Sequence, residues 1–292
     1  NGFTANDAYY LPLKIFFPKG QQPPKAVVLA LHGFNDYSNF FDDTGIWLAQ
    51  FGVASFAYDQ RGFGQSPHKG LWAGSLAMQE DLSSFIGLIK RKHPDIPIFV
   101  LGESMGGAVV MTSMAKINAP KVNGLILVAP AVWGMQTMPW YQRWALKAAS
   151  YTVPWMTLTG RGLKIKPSDN IPMLIKLGKD PLIIKETRVD AIYGLSKLMG
   201  EALISARELN QNLLILYGEQ DEIIPKRPTK LMLDQLSYSQ GEPHKLALYE
   251  NGYHMLLRDL NAAIPQKDIL SWMLNTENKL PSKADVRIFN PL

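Results

Sequence analysis

An α/β architecture is expected for this chain: a mostly parallel sheet covered by helices on both faces and interrupted by a largely helical insertion. Two observations predict it. Short, continuously apolar, β-branched runs alternate with amphipathic stretches of helical period, as strands buried on both faces require. That rhythm stops between residues 131 and 195, where prolines stand at 139, 154, 167, 172 and 181 and four of the seven tryptophans gather.

The elements follow in order. Residues 10–17 alternate with period two and read as a strand. Residues 26–31 (AVVLAL) are wholly apolar and run into His32-Gly33. A helix is expected over 40–51, a strand over 53–58, a long amphipathic helix over 75–93 and a strand over 97–101 (PIFVL). Then come a helix over 104–117 and a strand over 124–128 (GLILV). No clear strand appears in 131–195, which is expected to be a helical cap. Beyond it, residues 213–217 (LLILY) and 245–249 (KLALY) read as strands, with helices near 228–236 and 266–276. The core would thus comprise 1–130 and 196–292, with 279–292 as an irregular tail. No internal repeat or low-complexity segment is evident.

Composition narrows the function classes. Of 292 residues, 47% are apolar and 19% charged, enough for a large core and incompatible with global disorder. There is no run of about 18 uninterrupted apolar residues, so no transmembrane helix is expected. Cysteine is absent, so disulfides, thiolate metal sites and cysteine nucleophiles are excluded. A net charge of +5 without a basic block argues against nucleic acid and permits contact with anionic lipid surfaces. The chain begins at Asn1. A soluble or peripheral protein is expected, cytoplasmic or, if a leader preceded Asn1, in the cell envelope or secreted. Oligomeric state is left open.

Gly102-Glu103-Ser104-Met105-Gly106 fits G-x-S-x-G between an expected strand and an expected helix. A serine on so sharp a turn needs small neighbours, and Gly102, Gly106 and Gly107 supply them. The turn lifts the hydroxyl above the carboxyl edge of the sheet, where the N-terminus of the next helix favours negative charge. Ser104 is therefore the candidate nucleophile.

A serine hydroxyl needs a base. Of His32, His68, His93, His244 and His254, only His254 lies in a loop that follows a strand at the correct edge without another evident task. His244 and His93 belong at the opposite edge, His68 sits in a solvated loop, and His32 enters the loop that would bind an oxyanion. The carboxylate that orients the base is absent after strand 124–128, since residues 125–138 hold no Asp or Glu. The next strand is followed by Gly218-Glu219-Gln220-Asp221-Glu222. Asp221 is the choice there, with Glu219 and Glu222 as competitors. Two backbone N–H groups, of Phe34 and Met105, would hold an oxyanion. Asp59 and Arg61 are expected to pair with each other or with nearby loops to hold a turn, and Glu103 to hydrogen-bond around the elbow.

His32-Gly33-Phe34, Asp59-Gln60-Arg61-Gly62-Phe63-Gly64-Gln65-Ser66, Gly102-Glu103-Ser104-Met105-Gly106-Gly107, Gly218…Asp221 and Gly252-Tyr253-His254 together resemble the monoacylglycerol lipase and lysophospholipase family of α/β-hydrolases. The motifs span about residues 26–257. Glu before the serine resembles bacterial and plant members more than animal ones. The resemblance implies an α/β-hydrolase fold and hydrolysis of a single-chain lipid ester beneath a helical cap, a small-molecule substrate with no cofactor or metal. Trp133, Trp140 and Trp144 are expected to face the lipid. Amide cleavage, perhydrolysis or broader carboxylesterase activity on the same groups are alternatives, as is a non-catalytic binding module.

Overall fold

The structure is a computed structural model that describes residues 1–20, 23–160, 162, 164–237 and 244–289. Strands β1 (Gly2–Thr4), β2 (Tyr10–Phe16) and β3 (Ala26–Leu31) lead to helix α1 (Asp42–Gln50), entered through a 3-10 turn at Ser38–Phe41. Then follow β4 (Val53–Tyr58), α2 (Ser75–Lys92), β5 (Ile98–Glu103), α3 (Met105–Met114) and β6 (Gly124–Val128). The interrupting segment carries α4 (Trp140–Thr152), β7 (Thr157–Thr159), α5 (Ile171–Lys179) and β8 (Glu186–Arg188). α6 (Val189–Ser205) returns the chain to β9 (Leu213–Gly218), α7 (Lys226–Ser237), β10 (His244–Tyr249) and α8 (Ala263–Leu274).

Eight strands form one sheet in the order β1-β2-β4-β3-β5-β6-β9-β10. From β4 to β10 all pairings are parallel, while β2 joins β4, and β1 joins β2, in antiparallel fashion. The period-two geometry of a strand divides each apolar run between two cores. Val27, Leu29 and Leu31 join Val100, Leu127 and Ile215 in the core packed by residues of α2, α3, α6 and α7. Val28 and Ala30 join Leu101, Ile126 and Leu216 in the core packed by Leu48 of α1 and Ile269 and Trp272 of α8. The expected fold class is thus present.

Four details add to the expectation. β1 adds an edge strand that three residues of sequence do not announce. β7 and β8 pair as a small antiparallel ribbon inside 131–195, where no strand was expected; they are too short for periodicity to register. The tail is irregular apart from a 3-10 turn at Ala284–Val286, yet Leu280 and Ala284 are buried against the α8 core. α6 runs continuously through residues 195 and 196 and packs on α3. No described helix is long and apolar enough to cross a membrane.

Candidate active site

The site is built where β5 turns into α3. Ser104 sits between them at φ 53°, ψ −115°, in the left-handed half of backbone space that an L-residue enters at a cost of about 1–3 kcal/mol. The close approach that produces this turn is visible at its glycines. A Cβ on Gly102 would lie 2.5 Å from the backbone of Gly106 and Gly107, and one on Gly106 would lie 2.3 Å from Leu31 O. Ala131 N donates to Ser104 O and Ser104 N donates to Val128 O, so neighbouring β6 clamps the turn.

That packing sets the loop after β3 against the serine: a Cβ on Gly33 would lie 3.3 Å from Ser104 Cβ. His32 fastens this loop. Its Nε2 accepts from Gln60 N at 2.9 Å, which leaves the proton on Nδ1, donated to Gly33 O at 2.7 Å. Gln60 Nε2 returns a bond to His32 O. Burial holds the His32 ring below the usual histidine range, keeping it neutral. Phe34, half-buried, lies between the rings of Phe63 at 5.6 Å and Trp72 at 6.4 Å, and Trp72 packs on the bare backbone of Gly194 on α6.

The loops after β9 and β10 meet beside the elbow. Gly218 packs directly on Gly252, where a Cβ would come within 2.3 Å of Gly252 O, and Gln220 N donates to that same oxygen. His254 Nδ1 then lies 2.8 Å from Asp221 Oδ2. The other carboxylate oxygen, Oδ1, accepts from Ile223 N at 2.8 Å and Ile224 N at 2.9 Å. Both competitors are occupied elsewhere: Glu219 pairs with Arg287 at 2.9 Å, and Glu222 accepts from Lys166 N at 2.7 Å. Burial opposes charge on the His254 ring, but the Asp221 carboxylate, aided by Glu103, outweighs it and sets the ring above the ordinary histidine value.

Residues 167–170, ahead of α5 in the interrupting segment, clasp the loop that carries His254. Met255 N donates to Pro167 O, Ser168 Oγ to Asp259 Oδ1 at 2.6 Å, Asn170 Nδ2 to Arg258 O, and Leu260 N to Asp169 Oδ1. Asp259 Oδ2 in turn accepts from Tyr253 N.

Other expected residues are placed as follows. Asp59 and Arg61 do not pair with each other. Asp59 accepts from Ser38 N and Gln65 N, while Arg61 forks onto Asp81 and Asp7. Trp133 is half-buried against the main core. Trp140 and Trp144 are 70% and 60% exposed and point outward from the interrupting segment. The reason is that α4 has no buried residue and turns only Leu146, Ala149 and Ser150 even partly inward. Missed altogether were Arg258 and Asp36, both buried: Arg258 pairs with the elbow residue Glu103, and Asp36 pairs with Arg258. No local motif marks them.

This sheet and elbow define an α/β-hydrolase. The chain belongs to the serine aminopeptidase S33 family of hydrolases, whose profile matches residues 22–261. It is similar to the monoglyceride lipase of Mus musculus, 27% identical over 258 residues, covering 87% of this chain and 82% of the relative. It is also similar to the monoacylglycerol lipase of Mycolicibacterium smegmatis, 24% identical over 267 residues, covering 86% and 89% respectively. Among solved structures, a soluble variant of Saccharomyces cerevisiae monoglyceride lipase, in complex with a substrate analogue, shares the fold at a TM-score of 0.78. That match covers 94% of each chain at 20% identity. The chain is therefore a monoglyceride-lipase-like serine hydrolase, as its motifs resemble.

Proposed function

We propose that this hydrolase cleaves single-chain lipid esters of the monoacylglycerol or lysophospholipid type, with Ser104 as nucleophile, His254 as base and Asp221 as orienting acid. The single observation that carries the reading is the buried His254–Asp221 pair, 2.8 Å apart, delivered by two loops to the edge of the sheet where Ser104 stands strained. The monoglyceride lipase relatives support the substrate class.

In this reading Ser104 Oγ attacks the ester carbonyl carbon while His254 Nε2 takes its proton. The N–H groups of Phe34 and Met105 hold the resulting oxyanion; the latter opens α3, where the first N–H groups have no intrahelical partner. The imidazolium returns the proton to the leaving alcohol oxygen, leaving an acyl-serine. Water then attacks, again deprotonated by His254, and the proton passes back to Ser104 Oγ as the fatty acid departs.

Residues 131–195 act as the cap. Nine Lys and Arg against four Asp and Glu give this segment a charge equal to the chain's whole +5. Trp140, Tyr141, Trp144, Tyr151 and Trp155 stand exposed on it. A basic surface with outward aromatic rings suits an anionic lipid–water boundary, from which a poorly soluble ester is drawn.

The test is labelling by a fluorophosphonate, followed by hydrolysis rates on monoacylglycerols, lysophospholipids, short p-nitrophenyl esters, and an ester and amide sharing one acyl group. Ser104→Ala should lose a factor of about 10⁶ in turnover and all labelling. Labelling that survives in Ser104→Ala overturns the reading. Faster cleavage of the amide than of its ester overturns the substrate class.

A further inference from the structure

Three buried charged side chains meet behind the site. Arg258 Nη2 donates to Glu103 Oε1 at 2.6 Å, and Arg258 Nη1 lies 2.7 Å from Asp36 Oδ2. Glu103 immediately precedes Ser104. Asp36 closes the loop that carries Phe34. Arg258 stands four residues past His254. One guanidinium therefore joins the loops that bear the nucleophile, an oxyanion donor and the base. The Phe40 ring, 6.0 Å from the guanidinium, and Asn170, bonded to Arg258 O, limit its freedom further.

A planar fork fixes both distance and angle between the groups it grips, which an ammonium does not. Burying three ions is costly, and the cluster is not optimised for stability alone: Glu103 Oε2, Arg258 Nε and Arg258 Nη1 are buried without a hydrogen-bond partner, so Nη1 holds Asp36 as an ion pair while Nη2 hydrogen-bonds Glu103. One cation against two carboxylates also leaves a negative balance. The charged groups whose fields act on His254 are Asp221 from the loop after β9, which it contacts directly, Glu103 from the elbow, and Arg258 from its own loop. The two carboxylates favour an imidazolium and Arg258 opposes it.

We propose that Arg258 is a positioning residue that, by gripping Glu103 and Asp36 together, holds the base, nucleophile and oxyanion-donor loops in one arrangement. In the same cluster the Glu103 carboxylate steadies the imidazolium that forms on His254 during turnover. The proposal rests on the roles given above to Ser104 and His254.

Glu103→Gln and Arg258→Lys test it, through fluorophosphonate labelling and ester hydrolysis across pH, with thermal midpoints measured alongside. Glu103→Gln keeps an oxygen for Arg258 but removes the charge. Its acid limb should move to lower pH by about half a unit, with KM within about threefold of the parent. Arg258→Lys keeps the charge but loses the fork. Its kcat should fall about 10²-fold with KM little changed, since a misplacement near 1 Å costs that much. An acid limb in Glu103→Gln that coincides with the parent's overturns the role of Glu103. Near-parental kcat in a folded Arg258→Lys overturns the positioning role. Should that variant not fold, Arg258→Gln, neutral yet still able to donate, decides: parental kcat and acid limb together overturn the proposal. If the parent itself is not labelled at Ser104, the functional reading fails instead, and the two failures are told apart by that control.

Discussion

Replacing Asp221 by Asn leaves size and shape almost untouched and presents the site with two poor choices. The Asn oxygen can keep the two bonds that Ile223 N and Ile224 N now make to Oδ1. Its amide then points at His254 Nδ1, which must become an acceptor, so the proton moves to Nε2 and the ring can no longer take one from Ser104. Alternatively the side chain flips, offers its oxygen to the imidazole, and turns its amide toward two N–H donors, that of Ile224 buried and that of Ile223 half-buried. Leaving those donors unsatisfied costs about 1–3 kcal/mol each, so the flipped form is the minor one. A loss of about 10⁴ in kcat follows, the effect of a wrong tautomer in a site of this kind. The assay is steady-state hydrolysis of a monoacylglycerol, with circular dichroism to show the fold retained. Glu219→Gln and Glu222→Gln serve as controls, since their carboxylates already serve Arg287 and Lys166. Activity of Asp221→Asn above about one tenth of the parent, or a crippling effect of either control, would refute the assignment.

His254 must be neutral to act as base, and its ring sits above the ordinary value of 6.5, so kcat/KM should decline on acidification with a midpoint above that value, measured as a pH–rate profile. A midpoint below it would mean that burial outweighs Asp221. Gly106→Ala would drive a methyl into the Leu31 carbonyl, 2.3 Å away, and should lower the thermal midpoint and abolish labelling, whereas Gly178→Ala, with open space around it, should do neither. Because Trp140 and Trp144 are mostly exposed, their joint replacement by Gln should leave the thermal midpoint nearly unchanged, reduce rates on long-chain esters at vesicles, and spare soluble acetate and butyrate esters. Equal loss on both substrate classes would instead make them supports of the cap.

Much of this protein was legible from local pattern. A strand buried on both faces must be continuously apolar, so 26–31, 53–58 and 124–128 carried their own signature, and the parallel sheet followed. The elbow was legible because a serine held at positive φ needs glycine on either side, a demand met within five residues. His254 could be put forward by asking which histidine follows a strand without also entering the loop after β3, as His32 does. The remainder depended on groups far apart in the chain. Whether Asp221, Glu219 or Glu222 reaches the imidazole rests on how Gly218 seats against Gly252, and the other two are drawn off by Arg287 and by Lys166 of the interrupting segment. The outward turn of Trp140 and Trp144 depends on which side of α4 meets the core, and a helix without a buried residue has too little inward surface for the sequence to declare it. Arg258, Glu103 and Asp36 meet across separations of 155 and 222 residues, and only the order of strands in the sheet brings their three loops together. Local sequence determines backbone period and turn, because these depend on sterics within a few residues. Which charged side chains share a buried site is decided by tertiary packing, because only there does the cost of leaving one unpaired arise.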